Sequence, residues 1–394
     1  FCPPVFQAGR TAVGVGEPQP GPCLGLMENE IHGSSTLALH EDEGRALKEV
    51  RQLLRSRHPE DRLQGAANLA GFGCLTTLSN SLDTEAVQLL SDSHPEVRVA
   101  AIEALVSMGE AGMPHVGEVV DRLEDDEKAV RQAAVSALGV LGTAKSKRDR
   151  VIEALALCLS LADEPLTQQL ALASLGSLNA GSHAGVVAAM LKSPRLSVRI
   201  AALETLATLR QQPDEVAALL TSEEDEERNM ALMALASMED KAAAHVEKAA
   251  EALKNPLSRN FGLAFLGKVG KAAKPYIFEI CNYLMDPDAE TREVTVTCLH
   301  RLKEYANESC VDAVAQLLRA RVPHLRAVGA SALGLLGQER AGSYASEIAE
   351  LLSDASPDHV SGDDVAVPSL WKPNCAAAYA LALLGEKGQA YAGS

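Results

Sequence analysis

The chain has 394 residues, of which 47% are hydrophobic and only 3% aromatic, so small and branched aliphatic residues supply most of its apolar mass, as is typical of packed helices. Its 53 acidic and 36 basic residues give a formal net charge of -17. This charge disfavours binding to nucleic acid or anionic lipid and favours a protein partner with a basic segment. No uncharged apolar run is long enough for membrane insertion.

The N-terminal segment lacks helical periodicity. Residues 1–26 contain five Pro and five Gly, and the first Met in the chain is Met27. We interpret 1–43 as a disordered lead, with the part before Met27 either disordered or untranslated, and 44–394 as one folded array. The eight cysteines are scattered without a CxxC pair, which predicts free thiols in a reducing, cytoplasmic compartment.

The rest of the chain is internally repetitive. A polar anchor residue is followed by a small residue at +3, hydrophobic residues at +7 and +10, and often Gly at +11, as in Arg98, Ala101, Leu105, Met108 and Gly109. Successive anchors are 29 to 37 residues apart, except for a last interval of 48. The ten anchors are Arg62, Arg98, Arg131, Gln168, Arg199, Arg228, Arg259, Arg292, Arg326 and Asn374.

This pattern predicts a helical hairpin for each copy. Offsets of +3, +7 and +10 share one helical face, so each anchor should lie in a helix that packs along its length, with the trailing Gly as its C-cap. An apolar segment upstream of each anchor, such as Val116 to Leu123, predicts an antiparallel partner helix. Turns such as Asp286–Pro287 carry an acidic residue before Pro, a helix-start signal. Since one hairpin cannot bury its apolar face alone, the hairpins should stack.

The spacing of Asp and Arg within the copies adds a family resemblance. Asp lies six residues before the anchor in three copies, and the anchor helix reads VR..A...AL..(L/M)G. This pattern resembles HEAT repeats, most closely the phycobilisome-lyase type, over about 350 residues. The resemblance implies an all-α, right-handed α-solenoid of about ten tandem HEAT-like hairpins. It also implies a polar ladder between repeats, interrupted at Gln168 and Asn374 and including Asp92, Arg98, Asp125, Arg131, Arg199, Asp286 and Arg292.

No arrangement of residues in the sequence predicts an enzyme. Nucleophile-elbow, Walker and dinucleotide-binding glycine motifs are absent, so we expect no catalytic residue, no cofactor and no metal. Two enzymatic alternatives come from the resemblance. One is a bilin lyase-like enzyme or chaperone of the same repeat class. The other is a metalloenzyme similar to deoxyhypusine hydroxylase, which needs repeated His-Glu pairs, whereas this chain has only His40-Glu41.

We therefore predict a protein–protein interaction scaffold or adaptor. The turns inside the hairpins are acidic, and the five consecutive acids Glu223, Glu224, Asp225, Glu226 and Glu227 are predicted to dock a basic segment. The alternative is that these acids only complement helix dipoles.

The long last interval predicts a loop insertion at about 353–373. It contains Asp363, Asp364 and Trp371, which form either a second binding element or a cover for the last hairpin. Basic residues such as Lys271 and Lys274 are expected at the opposite edge. His115, His183 and Tyr276, which share one position in their copies, are expected to be structural.

Overall fold

A computed structural model describes residues 35–72, 82–143, 147–354, 356 and 372–391, with side chains from residue 45 onward. The chain divides into two compact units, Phe1–Glu49 and Val50–Ser394; the boundary falls within the helix Ser35–Leu54, and the packing described below is that of the second unit. The first described helix begins at Ser35, ahead of the predicted start of the array at residue 44. Most of the predicted lead and most of the predicted insertion lie outside the described residues.

The described residues form helical hairpins and contain no strand, which confirms the predicted all-α repeat array. Repeats are numbered 1 to 10 by their anchors. The first helices are Ser35–Leu54, Asp83–Leu89, Val116–Asp121, Arg148–Leu161, Ala184–Ala189, Pro213–Ala217, Val246–Ala250, Ile277–Asn282, Glu308–Ala315 and Ala345–Glu350. The second helices are Pro59–Phe72, Pro95–Ser107, Lys128–Leu141, Pro165–Ser177, Leu196–Leu209, Asp225–Met238, Arg259–Lys268, Ala289–Arg301, Pro323–Leu336 and Pro373–Leu383. Gln338–Ala341 and Glu386–Gln389 are additional short helices.

The turn between the two helices of a hairpin is built by a short polar side chain. The side chain of Asp92 accepts a hydrogen bond at 2.9 Å from the N–H of His94, which lies two residues downstream. Asp125 and Asp286 likewise accept from the N–H groups two residues after them. Such Asx turns replace the hydrogen bonds that the chain loses between helices. Pro then occupies the first position of several second helices, where its missing N–H costs nothing.

The predicted core positions are buried. In repeat 2, the side chains at +3, +7 and +10 are at most 2% exposed. The small residue at +3 allows the first helix to approach, because a Cβ at Gly329 would lie 2.7 Å from the Cβ of Leu317. The predicted apolar face is therefore the interface between the two helices of a hairpin and between successive hairpins.

Second helices also contact each other directly along the array. The buried Ser174 hydroxyl donates to the Val135 carbonyl at 2.9 Å, and Thr205 donates to the Leu172 carbonyl at 3.1 Å. At Gly334 a Cβ would lie 2.6 Å from the Cα of Ala380, so only glycine permits this approach. These contacts hold the second helices together as a continuous layer.

The predicted glycine C-caps are only partly correct. Gly109, Gly337 and Gly385 have positive φ, as expected for residues that end a helix. Gly142 has φ −71°, and a Cβ there would lie 2.6 Å from the Leu138 carbonyl oxygen, so its small size and not its backbone conformation is required. In the part of the chain that is described, no helix has both the length and the apolar character needed to cross a bilayer.

Candidate protein-binding surface

The anchor side chains hold the turns of their own hairpins. In the nine described turns of repeats 1 to 9, the anchor donates to the main-chain carbonyl six residues upstream, at 2.5–3.1 Å. These carbonyls lie where the first helix ends and have no helical partner of their own. Gln168 makes the same bond as the arginines, so the turn survives its substitution. The accepting residues are Ser56, Asp92, Asp125, Ala162, Ser193, Ser222, Leu253, Asp286 and Ala320.

Most anchor arginines also bind an acid in the following repeat. Of the predicted ladder, Arg98 pairs with Asp125 at 2.6 Å. Asp92 pairs with Arg62 at 2.6 Å, and Asp286 pairs with Arg259 at 2.7 Å. Arg292 donates to the main-chain carbonyl of Asp286 in its own turn.

Where the expected Asp is missing, another acid replaces it. Arg131 pairs with Glu164 at 3.0 Å, and Arg199 pairs with Glu227 at 2.5 Å. The longer Glu side chain reaches the arginine from a different position in the turn. Arg326 pairs with Asp354 at 2.6 Å, although its anchor-to-anchor interval to the last repeat is the long one of 48 residues.

Burial and pairing act in opposite directions on the ladder acids. Desolvation raises the pKa of Glu227, but hydrogen bonds from Arg199 and Ser222 outweigh it, so the pKa lies below its usual value. The same two effects act on Asp125: desolvation raises its pKa, but the hydrogen bond from Arg98 stabilises the carboxylate and the pKa is lowered. Both carboxylates are thus ionised structural groups.

This result corrects the predicted role of Glu227. It is 3% exposed and is held by Arg199 and by the Ser222 hydroxyl, so it is not available to a partner. Asp225 is half-buried and pairs with Arg228. The five acids are therefore not equivalent, because two of them are engaged within the fold.

The other three acids of the run face solvent. Glu223, Glu224 and Glu226 are exposed, and none of them makes an ion pair with a described residue. Glu224 is the N-cap residue of the second helix, which starts at Asp225, so these acids gather at the positive end of that helix dipole.

The next turn contacts the start of the helix Asp225–Met238 and carries an exposed apolar side chain. Asn255 donates to the Asp225 carboxylate at 3.3 Å, and Asn229 donates to the Leu257 carbonyl at 3.1 Å, which fixes the two turns against each other. Leu257 is 64% exposed. The nearby Lys254 is paired with Glu251 at 2.6 Å. We define Glu223, Glu224, Glu226 and Leu257 as the acidic turn surface.

Repeats 3 and 4 form a different surface. The first helix Arg148–Leu161 is longer than the six-residue Val116–Asp121, and its Leu157 and Leu161 are 56% and 71% exposed. Together with Leu123 they line a cleft of about 470 Å³. Glu124, Asp163 and Glu164 also line it, while the exposed Lys128 and Arg195 lie in the flanking turns.

One further prediction concerns the residues that share one position in their copies. His115 and His183 are N-cap residues of first helices, as is Tyr276, which agrees with a structural role. His115 bonds Asp83 of the preceding repeat at 3.1 Å. The Tyr344 hydroxyl binds Asp312 at 2.5 Å, and this bond raises the pKa of Tyr344 to about 12.

Several predicted residues are not described. Asp363, Asp364 and Trp371 lie outside the described residues, as does the side-chain pair His40-Glu41. Lys268, Lys271 and Lys274 are exposed. Within the described ranges, no group of three or more His, Cys, Asp or Glu is arranged to hold a metal ion.

A family model for HEAT repeats matches residues 84–176. Residues 84–176 contain HEAT repeats. The matched region covers repeats 2 to 4 with their first helices, and the ladder contacts described above continue on both sides of it. The resemblance to HEAT repeats inferred from the sequence is therefore confirmed, while the phycobilisome-lyase type stays a prediction. No curated protein matches the chain significantly.

Solved structures share the fold over most of the chain. Yeast importin-beta (Kap95p) matches with a TM-score of 0.61 and 13% identity, covering 90% of this chain and 53% of that one. Kap121p bound to Pho4p matches with a TM-score of 0.56 and 14% identity, covering 89% and 43%. An engineered protein matches with a TM-score of 0.50 and 18% identity, covering 86% and 98%.

These similarities show a HEAT solenoid fold like that of the karyopherins. The chain spans only about half of the length of importin-beta and less than half of Kap121p. Fold similarity at such identities does not transfer a function.

Proposed function

We propose that this chain is a protein-binding scaffold and that the acidic turn surface binds a basic segment of its partner, with a hydrophobic side chain of that segment placed on Leu257. The observation that carries this proposal is the sorting of the acidic run. Asp225 and Glu227 make ion pairs within the fold, while Glu223, Glu224 and Glu226 remain exposed, as does Leu257 in the adjoining turn.

The electrostatics support a basic partner. The net charge of -17 attracts cationic chains at long range, and the three exposed acids have no ion-pair partner among the described residues that would have to be displaced. A basic segment that also carries an apolar residue would bury Leu257. Its binding would combine a salt-sensitive attraction with a salt-insensitive hydrophobic contact.

Structural neighbours are consistent with a protein ligand. Kap121p is bound to Pho4p in one solved structure and to Nup53p in another. A study of Kap95p concerns its binding to RanGDP. These partners belong to those proteins, and they support here only the general idea that a HEAT solenoid of this form binds other proteins.

Charge reversal of the acidic turn surface tests the proposal. Proteins that the full chain captures from a native extract are identified, and the affinity of the strongest is measured against the parent and against the triple variant Glu223→Lys, Glu224→Lys, Glu226→Lys. We expect the variant to lose at least about tenfold in affinity, and the parent to weaken as salt rises from low to physiological concentration.

A second triple variant controls for the change in net charge. Glu308, Glu339 and Glu350 are also exposed and unpaired with any described residue, and they lie in later repeats. Their replacement by Lys changes the net charge equally, and we expect affinity within about twofold of the parent. Equal losses in both triple variants would show that only net charge matters and would refute the proposed site.

Carbodiimide cross-linking locates the contact directly. The reagent joins a carboxylate to a lysine amine without a spacer, so a docked basic segment should give cross-links from Glu223, Glu224 or Glu226 to partner lysines. Cross-links confined to Glu124 or Asp163 would place the partner at the cleft of repeats 3 and 4 instead.

A further inference from the structure

Two cysteines of neighbouring repeats lie in contact. Cys281 belongs to the first helix Ile277–Asn282 of repeat 8, and Cys310 belongs to the first helix Glu308–Ala315 of repeat 9. Their Sγ atoms are 2.8 Å apart, although the residues are 29 positions apart in the chain. A disulfide requires an S–S distance of about 2.05 Å, so closing the bond needs a movement of less than about 1 Å.

The position of each thiol is fixed by its surroundings. The Cys310 N–H donates to the Asn307 side-chain oxygen at 2.9 Å, which caps its helix. Cys281 is buried in the packed face of the adjacent helix. Cys281 is 7% exposed and Cys310 is 1% exposed, so a small oxidant can reach the pair more easily than a protein or a tripeptide disulfide.

We propose that Cys281 and Cys310 form a reversible disulfide between repeats 8 and 9 when the protein meets hydrogen peroxide. The Cys310 thiolate attacks one peroxide oxygen, the O–O bond breaks, and Cys310 becomes a sulfenic acid as hydroxide leaves. The Cys281 sulfur then attacks the Cys310 sulfur, the S–O bond breaks, and water leaves. Two thiols and one peroxide thus give one disulfide and two waters.

Either sulfur can donate in this contact, and the directions of the two pKa shifts favour Cys310 as the thiol that is oxidised first. In the hydrogen-bonded pair, the Cys281 thiol stabilises the Cys310 thiolate, which lowers the pKa of Cys310 and raises that of Cys281. Cys298 is also in repeat 8 but is fully buried, and burial raises its pKa to about 12. Cys298 therefore serves as a control thiol from the same repeat, and we expect peroxide to oxidise Cys310 before it.

The bond would change the array locally. Each repeat contacts mainly its neighbours, and the small rotations between successive repeats determine the curvature and twist of a solenoid. A covalent link between two adjacent first helices fixes one such interface. It also closes a chain segment of 29 positions, which restricts the unfolded state.

Peptide mapping of the oxidised full chain tests the proposal. The protein is treated with hydrogen peroxide, remaining thiols are alkylated in denaturant, and the digest is analysed by mass spectrometry before and after reduction. We expect one peptide pair linked through Cys281 and Cys310, lighter than the two separate peptides by two hydrogens and separated by reductant. The midpoint temperature of thermal unfolding should be roughly 5 °C higher for the oxidised protein than for the reduced protein.

Variants distinguish this pair from other thiols. Cys298→Ser should keep the linked peptide, whereas Cys310→Ser should abolish it and leave Cys281 free to alkylate. Cys310→Ala replaces Cys310→Ser if circular dichroism shows that the serine variant is misfolded. The proposal is overturned if the linked peptide is absent while both thiols alkylate, or if Cys298 takes the place of either partner.

Discussion

The acidic turns 124–127 and 223–227 look alike in sequence but are built differently. In repeat 3, Asp125 lies six residues before its anchor, makes the Asx turn and pairs with Arg98. In repeat 6 that position is Ser222, whose hydroxyl accepts from the Glu224 N–H, while the acid that binds Arg199 is Glu227, inside the second helix. The same inter-repeat ion pair is therefore made from opposite ends of the turn.

This difference decides which acids are engaged within the fold. In repeat 3 the ladder acid Asp125 is part of the turn, Asp126 also pairs with Arg98, and Glu124 lines the leucine-lined cleft. In repeat 6 the ladder acid Glu227 lies inside the second helix. Glu223 and Glu224 lie in the turn, and neither makes an ion pair with a described residue. Acidic composition alone thus does not identify a binding surface.

Removing the ladder acid of repeat 6 should give the largest loss of stability. Glu227→Ala leaves the Arg199 guanidinium, which is 18% exposed, without its carboxylate. We expect the free energy of unfolding to fall by about 3 kcal/mol, measured by urea denaturation. The neighbouring exposed acid is the control, since Glu226→Ala should change stability by less than about 0.5 kcal/mol. Similar losses for both would mean that Glu227 has no special structural role.

Removing the ladder acid of repeat 3 should cost less. In Asp125→Ala the Arg98 guanidinium keeps a second acceptor, because the Asp126 carboxylate lies 3.0 Å away. We expect a loss of about 2 kcal/mol for Asp125→Ala, and less than about 0.5 kcal/mol for Asp126→Ala, whose side chain is 88% exposed.

The double variant sharpens this comparison. Asp125→Ala with Asp126→Ala should approach the loss expected for Glu227→Ala, about 3 kcal/mol, because both carboxylate partners of Arg98 are then gone. Strict additivity of the two single variants in urea denaturation would contradict the idea that Asp126 substitutes for Asp125.

Much of this architecture was predictable because it is local in sequence. The +3, +7 and +10 offsets follow from the period of a helix, and the bond from an anchor to the carbonyl six residues upstream joins two ends of one turn. The resemblance to HEAT repeats also implied a polar ladder between repeats that includes Arg98 and Asp125, and these two residues pair. Such features need no knowledge of how repeats pack.

The unpredicted features depend on contacts between repeats. Glu164 and Glu227 replace the expected Asp from new positions, and only the distance to the preceding arginine shows this. The exposure of Leu257 and the contact of Cys281 with Cys310 likewise arise from neighbouring hairpins. A weak signal was present, because a repeat without Asp at the −6 position still needs an acid within reach of the preceding arginine.

The last ladder acid tests whether the pairs stabilise the array through charge. A hydrogen bond from Arg326 outweighs burial and lowers the pKa of Asp354 to about 2. In the unfolded chain its pKa should be about 3.9, so its stabilising contribution is present above about pH 4 and is lost as the pH falls toward about 2. For a side chain that is 15% exposed, we expect a contribution of about 1 kcal/mol.

Asp354→Asn measures this contribution. The free-energy difference between parent and variant should be largest near neutral pH and should shrink as the pH is lowered from about 5 to 2, followed by urea denaturation at each pH. Glu350→Gln removes an exposed carboxylate from the same repeat and controls for the change in net charge. If the difference between parent and Asp354→Asn is the same at every pH, the Arg326 pair stabilises repeat 9 through hydrogen-bond geometry and not through ionisation of the acid.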